Sequence, residues 1–234
     1  MRKDYSDTTV IAPTLNEGEN ISAFVNEMTR RYPGIRLIVP DDGSADNTVE
    51  IIKRMARRNP HLMFLDRSEK KVHGVTASIL DSAMLVKTSK IVSMDADFQH
   101  PPGKVGEIVD RLSKCDFVIG VRRGSGKRGL KRRVMSVALA KIAMATFSIR
   151  GRQTCSDMAS GYFGIKTKLL KELISNDEGA FVKRGNKTLL DILRAAKRPM
   201  KMGEVEYPNF PERERGRSKF TTRIIFFALE SALR

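Results

Sequence analysis

Val92-Ser93-Met94-Asp95-Ala96-Asp97-Phe98-Gln99-His100-Pro101-Pro102 carries an apolar run, begun at Ile91, into two carboxylates one residue apart. Read as a strand, the run places alternate side chains on one face, so Asp95 and Asp97 point one way and Ala96 the other. Two carboxylates held side by side repel each other unless a cation sits between them. A hard divalent cation takes one or two carboxylates and fills its other positions with substrate phosphates, and Gln99 offers a neutral oxygen close by. Pro101-Pro102 then stops any continuation. On spacing alone, a solvated Asp-rich turn after a strand explains the stretch equally well. The rest of the chain separates the two readings.

Outward from this stretch, strand and helix patterns alternate. Thr9–Ala12 reads as a short buried strand ending at Pro13, with Thr14 or Asn16 capping a helix that reaches Arg31. Ile35–Val39 is a second strand, followed by a helix over Asp46–Arg58; Leu62–Leu65 is a third, followed by helical spacing over Val75–Lys87. Lys90–Met94 and Phe117–Gly120 are the fourth and fifth, and Tyr162–Ile165 is a further strand. This alternation predicts an α/β fold, a mostly parallel open sheet flanked by helices. Ligands of such sheets bind beyond the carboxyl ends of the strands.

Three strands end in polar groups: Pro13-Thr14-Leu15-Asn16-Glu17, Asp41-Asp42-Gly43-Ser44 and Asp95-Ala96-Asp97. Parallel strands bring all three to one edge. Glu17 and Asp42 suit base N–H groups or ribose hydroxyls, and the Asp95/Asp97 pair, through its cation, suits a diphosphate. Neither GxxxxGK[ST] nor GxGxxG follows the first strand, which argues against a P-loop or dinucleotide fold. Asp41-Asp42-Gly43-Ser44 also has the composition of a type I turn with a helix cap.

The 234 residues suffice for one large domain or two small ones. Hydrophobic residues make up 41% and charged residues 30%, as in folded soluble proteins, but the net charge is +16. So basic a chain expects an anionic partner: a phosphorylated substrate, an acidic membrane surface or nucleic acid. Aromatic residues, at 6% of the chain, are too sparse for a stacking platform on single strands, which disfavours nucleic acid. Cys115 and Cys155 form no CxxC and suit a reducing compartment. No stretch reaches the roughly 18 apolar residues of a membrane span.

The excess charge is concentrated. Between Asp116 and Asp157 there is no acidic residue and there are ten Lys or Arg, among them Arg122, Arg123, Arg132 and Arg133. Glycines at 124, 126 and 129 predict a loop, and the apolar positions from Val134 to Phe147 a helix with a wide apolar face. A basic loop leading into such a helix suits docking at an anionic membrane interface, each cation adding about 1 kcal/mol. Core packing with a solvated basic end is the alternative. The tail from Phe220 to Arg234 repeats the amphipathic pattern.

Together, Val10-Ile11-Ala12-Pro13-Thr14-Leu15-Asn16-Glu17, Asp41 to Thr48 and Asp95 to Pro102 resemble family 2 glycosyltransferases of the GT-A fold. Within that family they are most similar to the dolichyl-phosphate or polyprenyl-phosphate mannose synthase branch. The likeness continues at Ile119 to Arg123, at Ser156 to Phe163 and at Phe210 to Lys219. It implies a Rossmann-like catalytic domain over residues 1–219, followed by an amphipathic helix over 220–234. It implies inverting, metal-dependent transfer of one sugar from a nucleotide sugar, GDP-mannose before UDP-glucose, to a polyprenyl or dolichyl phosphate. The site would lie on the cytoplasmic face of a membrane, with the protein peripheral to it.

By the resemblance, Asp95, Asp97 and Gln99 hold Mg²⁺ or Mn²⁺, and Pro13, Glu17 and Asp42 line the nucleoside pocket. Asn16, Asp41, Ala96, Arg122, Arg123 and Lys219 complete the candidate donor-binding set. Arg132 and Ser136, four apart and hence on one helix face, are candidates for gripping the acceptor phosphate, together with Arg122 or Arg123 and with Arg213. Asp157 either contacts the acceptor or acts as a base.

There are departures from the family pattern. The Gly-Leu-Gly usual after the third strand is replaced by Lys71-Val72-His73-Gly74-Val75-Thr76, and the family's Gly-Glu-Ser-Lys reads Gly216-Arg217-Ser218-Lys219. The chain has no Trp and so lacks the Gln-x-x-Arg-Trp of processive synthases. Besides lipid-phosphate transfer, the sequence leaves open transfer to a saccharide or protein hydroxyl, which would need Asp157 as base.

Overall fold

The structure, a computed structural model, describes residues 3–123, 144–182 and 187–208. Seven strands form one sheet: β1 Thr8–Ile11, β2 Arg36–Asp41, β3 Leu62–Asp66, β4 Lys90–Ser93, β5 Phe117–Arg123, β6 Phe163–Lys166 and β7 Met202–Pro208. Their order is β3-β2-β1-β4-β6-β5-β7. Every pairing is parallel except those of β6, which runs antiparallel between β4 and β5. Among the described residues, helices flanking the sheet include α1 Ile21–Arg31, α2 Thr48–Ala56, α3 Val75–Leu85, α4 Val105–Arg111, α5 Thr167–Asn176 and α6 Thr188–Ala195.

Neighbouring residues on the strands serve opposite cores, because side chains alternate across a sheet. Val10, Leu37, Val92 and Val118 pack with Phe24, Met28, Ile52 and Ile108 on the face covered by α1, α2 and α4. Ile11, Ile38, Ile91 and Ile119 pack with Ile79, Leu80, Leu170 and Ile192 on the face covered by α3, α5 and α6. Burial on both faces explains the near-continuous apolar runs of the central strands.

Some expectations are corrected. The first helix starts at Ile21 with Asn20 at its cap, not with Thr14 or Asn16. Thr14 is drawn instead into a parallel bridge with Asp41, and Asn16 turns through φ 53°. β4 ends at Ser93, two residues short of Asp95, so strand alternation does not put Asp95 and Asp97 on one face. Pro101 and Pro102 open a 3₁₀ turn, Pro102–Lys104, that leads into α4; a proline's fixed φ suits that first helical position. β7, α4, α5 and α6 are additional to the elements read from the sequence. Of the predicted helix over 134–147, only residues 144–147 are described; they are helical, as are residues 148 and 149, with Phe147 buried.

Candidate active site

The carboxyl ends of β1 and β2 are laced together, which gives the first wall of the site. Asp41 is 1% exposed. One of its oxygens accepts the N–H groups of Gly43 and Ser44, at 3.0 and 2.7 Å; the other accepts the Thr14 and Ser44 hydroxyls. The turn character of Asp41-Asp42-Gly43-Ser44 thus belongs to Asp41, and Gly43 supplies the positive φ of 92°. Asn16 crosses to the same loop, its N–H on Ser44 Oγ and its Oδ1 on the Ala45 N–H, both at 2.7 Å. Glu17 is buried, with its N–H on Thr48 Oγ1 and its Oε2 accepting from Asn20.

Asp42 faces the other way, toward the end of β3. Its Oδ1 accepts from Arg67 Nε at 2.8 Å and from Ser78 Oγ at 3.1 Å, and its Oδ2 accepts the Gly74 N–H at 2.6 Å. The segment Lys71–Thr76, which departs from the pattern the sequence otherwise resembles, is therefore pinned to the second strand by Asp42. Sequence reading missed Arg67 because an arginine after a strand reads as a solvated charge, yet it is 1% exposed.

Beyond β4 the chain coils into a tight loop. Asp97 accepts the Gln99 N–H at 3.1 Å, and Phe98 between them sits at φ 63°. The Asp95 side chain is 32% exposed at the mouth of the strand, whereas Asp97 is 1% exposed beneath it. The Asp95 N–H donates to His100 Nδ1 at 2.9 Å. His100 is buried, stacked on Tyr162 with centroids 5.0 Å apart, and its edge meets Tyr207. Burial pushes its pKa down to about 4; Arg122 acts the same way, while Asp97 and Asp157 oppose. The imidazole is therefore neutral at physiological pH, and Nδ1 keeps the lone pair that holds the Asp95 backbone. His100 is a second residue missed from sequence, since three scattered histidines show no ligand spacing.

The third wall comes from β5 and the segment before β6. Arg122 donates from Nε to Asp157 Oδ2 at 3.1 Å, with the two side chains 27% and 16% exposed. Burial opposes the guanidinium's charge, but the charge and hydrogen bond of Asp157, helped by Tyr207 and Asp95, outweigh it and raise its pKa. Asp157 Oδ1 also accepts the Ala159 N–H at 3.2 Å. Arg123 points to the other side of the strand and pairs with Glu206 in the open, 59% exposed. Of the two arginines, then, Arg122 joins the site.

The sheet edge thus brings together Pro13, Asn16, Glu17, Asp42, Asp95, Ala96, Asp97, Gln99, Arg122 and Asp157, with Asp41 buried in its own turn and Arg123 turned away. Arg132, Ser136, Arg213, Lys219 and the 220–234 helix lie outside the described residues. Among the described residues, no three His, Cys, Asp or Glu side chains converge as a self-sufficient metal site. Two carboxylates and an amide instead fit a hard cation that keeps positions for phosphate. They do not fit a four-ligand structural zinc.

The profile of the family described as "Glycosyl transferase family 2" matches residues 9–174. The dolichol-phosphate mannosyltransferase of Saccharomyces cerevisiae is 28% identical over an alignment of 247 residues, covering 98% of this chain and 86% of that protein. The polyprenol monophosphomannose synthase of Mycolicibacterium smegmatis is 28% identical over 219 residues, covering 92% and 81%. Among solved structures, glucosyl-3-phosphoglycerate synthase from Mycobacterium tuberculosis, in complex with Mn²⁺, uridine diphosphate and phosphoglyceric acid, superposes with a TM-score of 0.66. That likeness, at 20% identity over 97% of this chain and 78% of that one, establishes the GT-A fold. With the profile spanning 166 of its 234 residues, over the strands and loops that build this edge, the chain belongs to glycosyl transferase family 2 and is a glycosyltransferase.

Proposed function

We propose that the enzyme transfers one sugar, mannose before glucose, from a nucleotide sugar to a polyprenyl or dolichyl phosphate, with inversion, while bound peripherally to the cytoplasmic face of a membrane. The observation that carries this reading is the Arg122–Asp157 pair beside Asp95. A guanidinium at this position answers an incoming phosphate, which is the group an inverting transfer must bring toward another anion. The mannosyltransferase names of the relatives support the same acceptor class.

The residues divide the work. Glu17 and Asp42 receive the nucleoside. Asp95, Asp97 and Gln99 would hold Mg²⁺ or Mn²⁺, which as a Lewis acid draws charge from the departing nucleoside diphosphate. Arg122, with Arg132, Ser136 and Arg213 as the sequence assigns them, neutralises and orients the acceptor, and Lys219 contacts the donor. A phosphate monoester, with a second pKa near 6, is already largely ionised at neutral pH and needs no base.

Transfer to a hydroxyl would require Asp157 as base. Its pairing with Arg122 favours the first reading, because both its oxygens already accept hydrogen bonds. The test offers radiolabelled GDP-mannose and UDP-glucose in separate arms, each with dolichyl phosphate, undecaprenyl phosphate or an oligosaccharide acceptor. Label extracted into organic solvent only with a lipid phosphate is the expected result. Label on the oligosaccharide alone would refute the proposal. No described helix is long and apolar enough to cross a membrane.

A further inference from the structure

Arg67 is the largest fully buried side chain of the described residues. It follows β3 directly and continues that strand's pairing, its N–H on Asp41 O at 2.9 Å. Each of its three guanidinium nitrogens is engaged. Nε donates to Asp42 Oδ1 and Ser78 Oγ, one terminal nitrogen pairs with Asp81, and the other donates to Val72 O at 2.7 Å. At 1% exposure, no ligand reaches it.

Asp42 shows what the arrangement does. A carboxylate has about four acceptor positions. Both on Oδ1 are taken by Arg67 and Ser78, and one on Oδ2 by the Gly74 N–H. One position on Oδ2 remains, and the carboxylate's rotation is fixed around it. The loop that carries Gly74 is held from its other end by the same guanidinium through Val72 O. Gly74 itself stands at φ 134°, a conformation other residues rarely adopt. Arg67 thus ties Val72, Ser78 and Asp42 together directly, and Gly74 through Asp42.

We propose that Arg67 is a positioning residue of the donor pocket: acting through Asp42, it presents a single pre-oriented acceptor to one N–H or O–H of the nucleoside. This rests on the reading of Asp42 as a nucleoside contact. Arg67 has no part in the chemical step, so its loss is felt in donor binding rather than in turnover.

The test is a double-mutant cycle on nucleotide affinity. UDP and GDP are each titrated with Mn²⁺ into wild type, Asp42→Asn, Arg67→Lys and the double variant by calorimetry, with folding checked by circular dichroism. Lysine keeps the charge and loses the fork. Expected is a roughly tenfold weakening in each single variant, no further loss in the double, and a donor KM raised with kcat nearly retained. Should Arg67→Lys not fold, Ser78→Ala removes the other hydrogen bond on Asp42 Oδ1 and is expected to weaken binding severalfold, again with no addition to Asp42→Asn. Unchanged affinity in Asp42→Asn would overturn the reading of Asp42 and the proposal with it. A weakened Asp42→Asn beside a wild-type Arg67→Lys, or fully additive losses, would overturn the proposal alone.

Discussion

Asp95 and Asp97 differ in exposure more than their spacing suggests, one at the mouth of β4 and the other beneath it. If both hold the cation, Asp97→Ala abolishes transfer and EDTA does the same to wild type, with folding of the variant checked by circular dichroism because Asp97 also accepts the Gln99 N–H. Full turnover in EDTA would exclude the role. His100 is tested separately. His100→Phe keeps a ring against Tyr162 but removes the acceptor of the Asp95 N–H, and a buried donor left unsatisfied costs about 1–3 kcal/mol. A urea melt should show that loss, and calorimetry a weaker Mn²⁺ affinity. Restored stability in His100→Gln, whose amide oxygen can accept, would trace the effect to the hydrogen bond. At this scale the sequence exposes residues whose chemistry is unusual in place, such as two aspartates closing an apolar run. It conceals Arg67 and His100, whose roles come from burial by elements distant in the chain.

Packing between elements puts a glycine where β5 meets the segment before β6. A Cβ on Gly120 would lie 2.8 Å from the Tyr162 ring, and Tyr162 is the surface on which His100 stacks. Gly120→Ala is therefore expected to destabilise by about 1–3 kcal/mol, and to weaken Mn²⁺ binding because the displaced ring carries His100 with it. A wild-type melt would mean that Tyr162 yields without cost. β1, β2 and β4 were legible because they are buried on both faces and read as near-unbroken apolar runs, and the half-exposed edge strand β3 was legible from Leu62-Met63-Phe64-Leu65 alone. β7 was not: Met202-Gly203-Glu204-Val205-Glu206-Tyr207-Pro208 buries only Val205 and Tyr207, and its two glutamates resemble a loop. Charges of this kind suit an outer strand of a sheet, and Glu204 and Glu206 bond to Ser156 and Arg123.

For the whole molecule, the net charge of +16 has to be separated from the proposed acceptor contacts. If the charge docks the enzyme, it sediments with phosphatidylserine vesicles in low salt and is released as the Debye length shrinks to about 3 Å at 1 M. Arg132→Ala should lose tenfold or more in transfer rate even in detergent with a short-chain polyprenyl phosphate, the scale of one charged hydrogen bond. A docking arginine would be dispensable under those conditions, so wild-type rates there would remove Arg132 from the acceptor site.

The reversed strand β6 also has a consequence in time. β3, β2, β1 and β4 come from residues 8–93 and pair with one another in parallel. β5, at residues 117–123, has no place beside them until residues 163–166 arrive to fill the gap, since β4 and β5 each pair with β6 and not with each other. On the ribosome, β1 to β4 can pair while the rest of the sheet is still being made. That leaves β4 with an open edge for the synthesis of some seventy residues, several seconds at about 5–20 residues per second. The edge so exposed leads into the Asp95–Asp97 loop, and nascent chains of this length present an unpaired strand edge of the kind that invites aggregation.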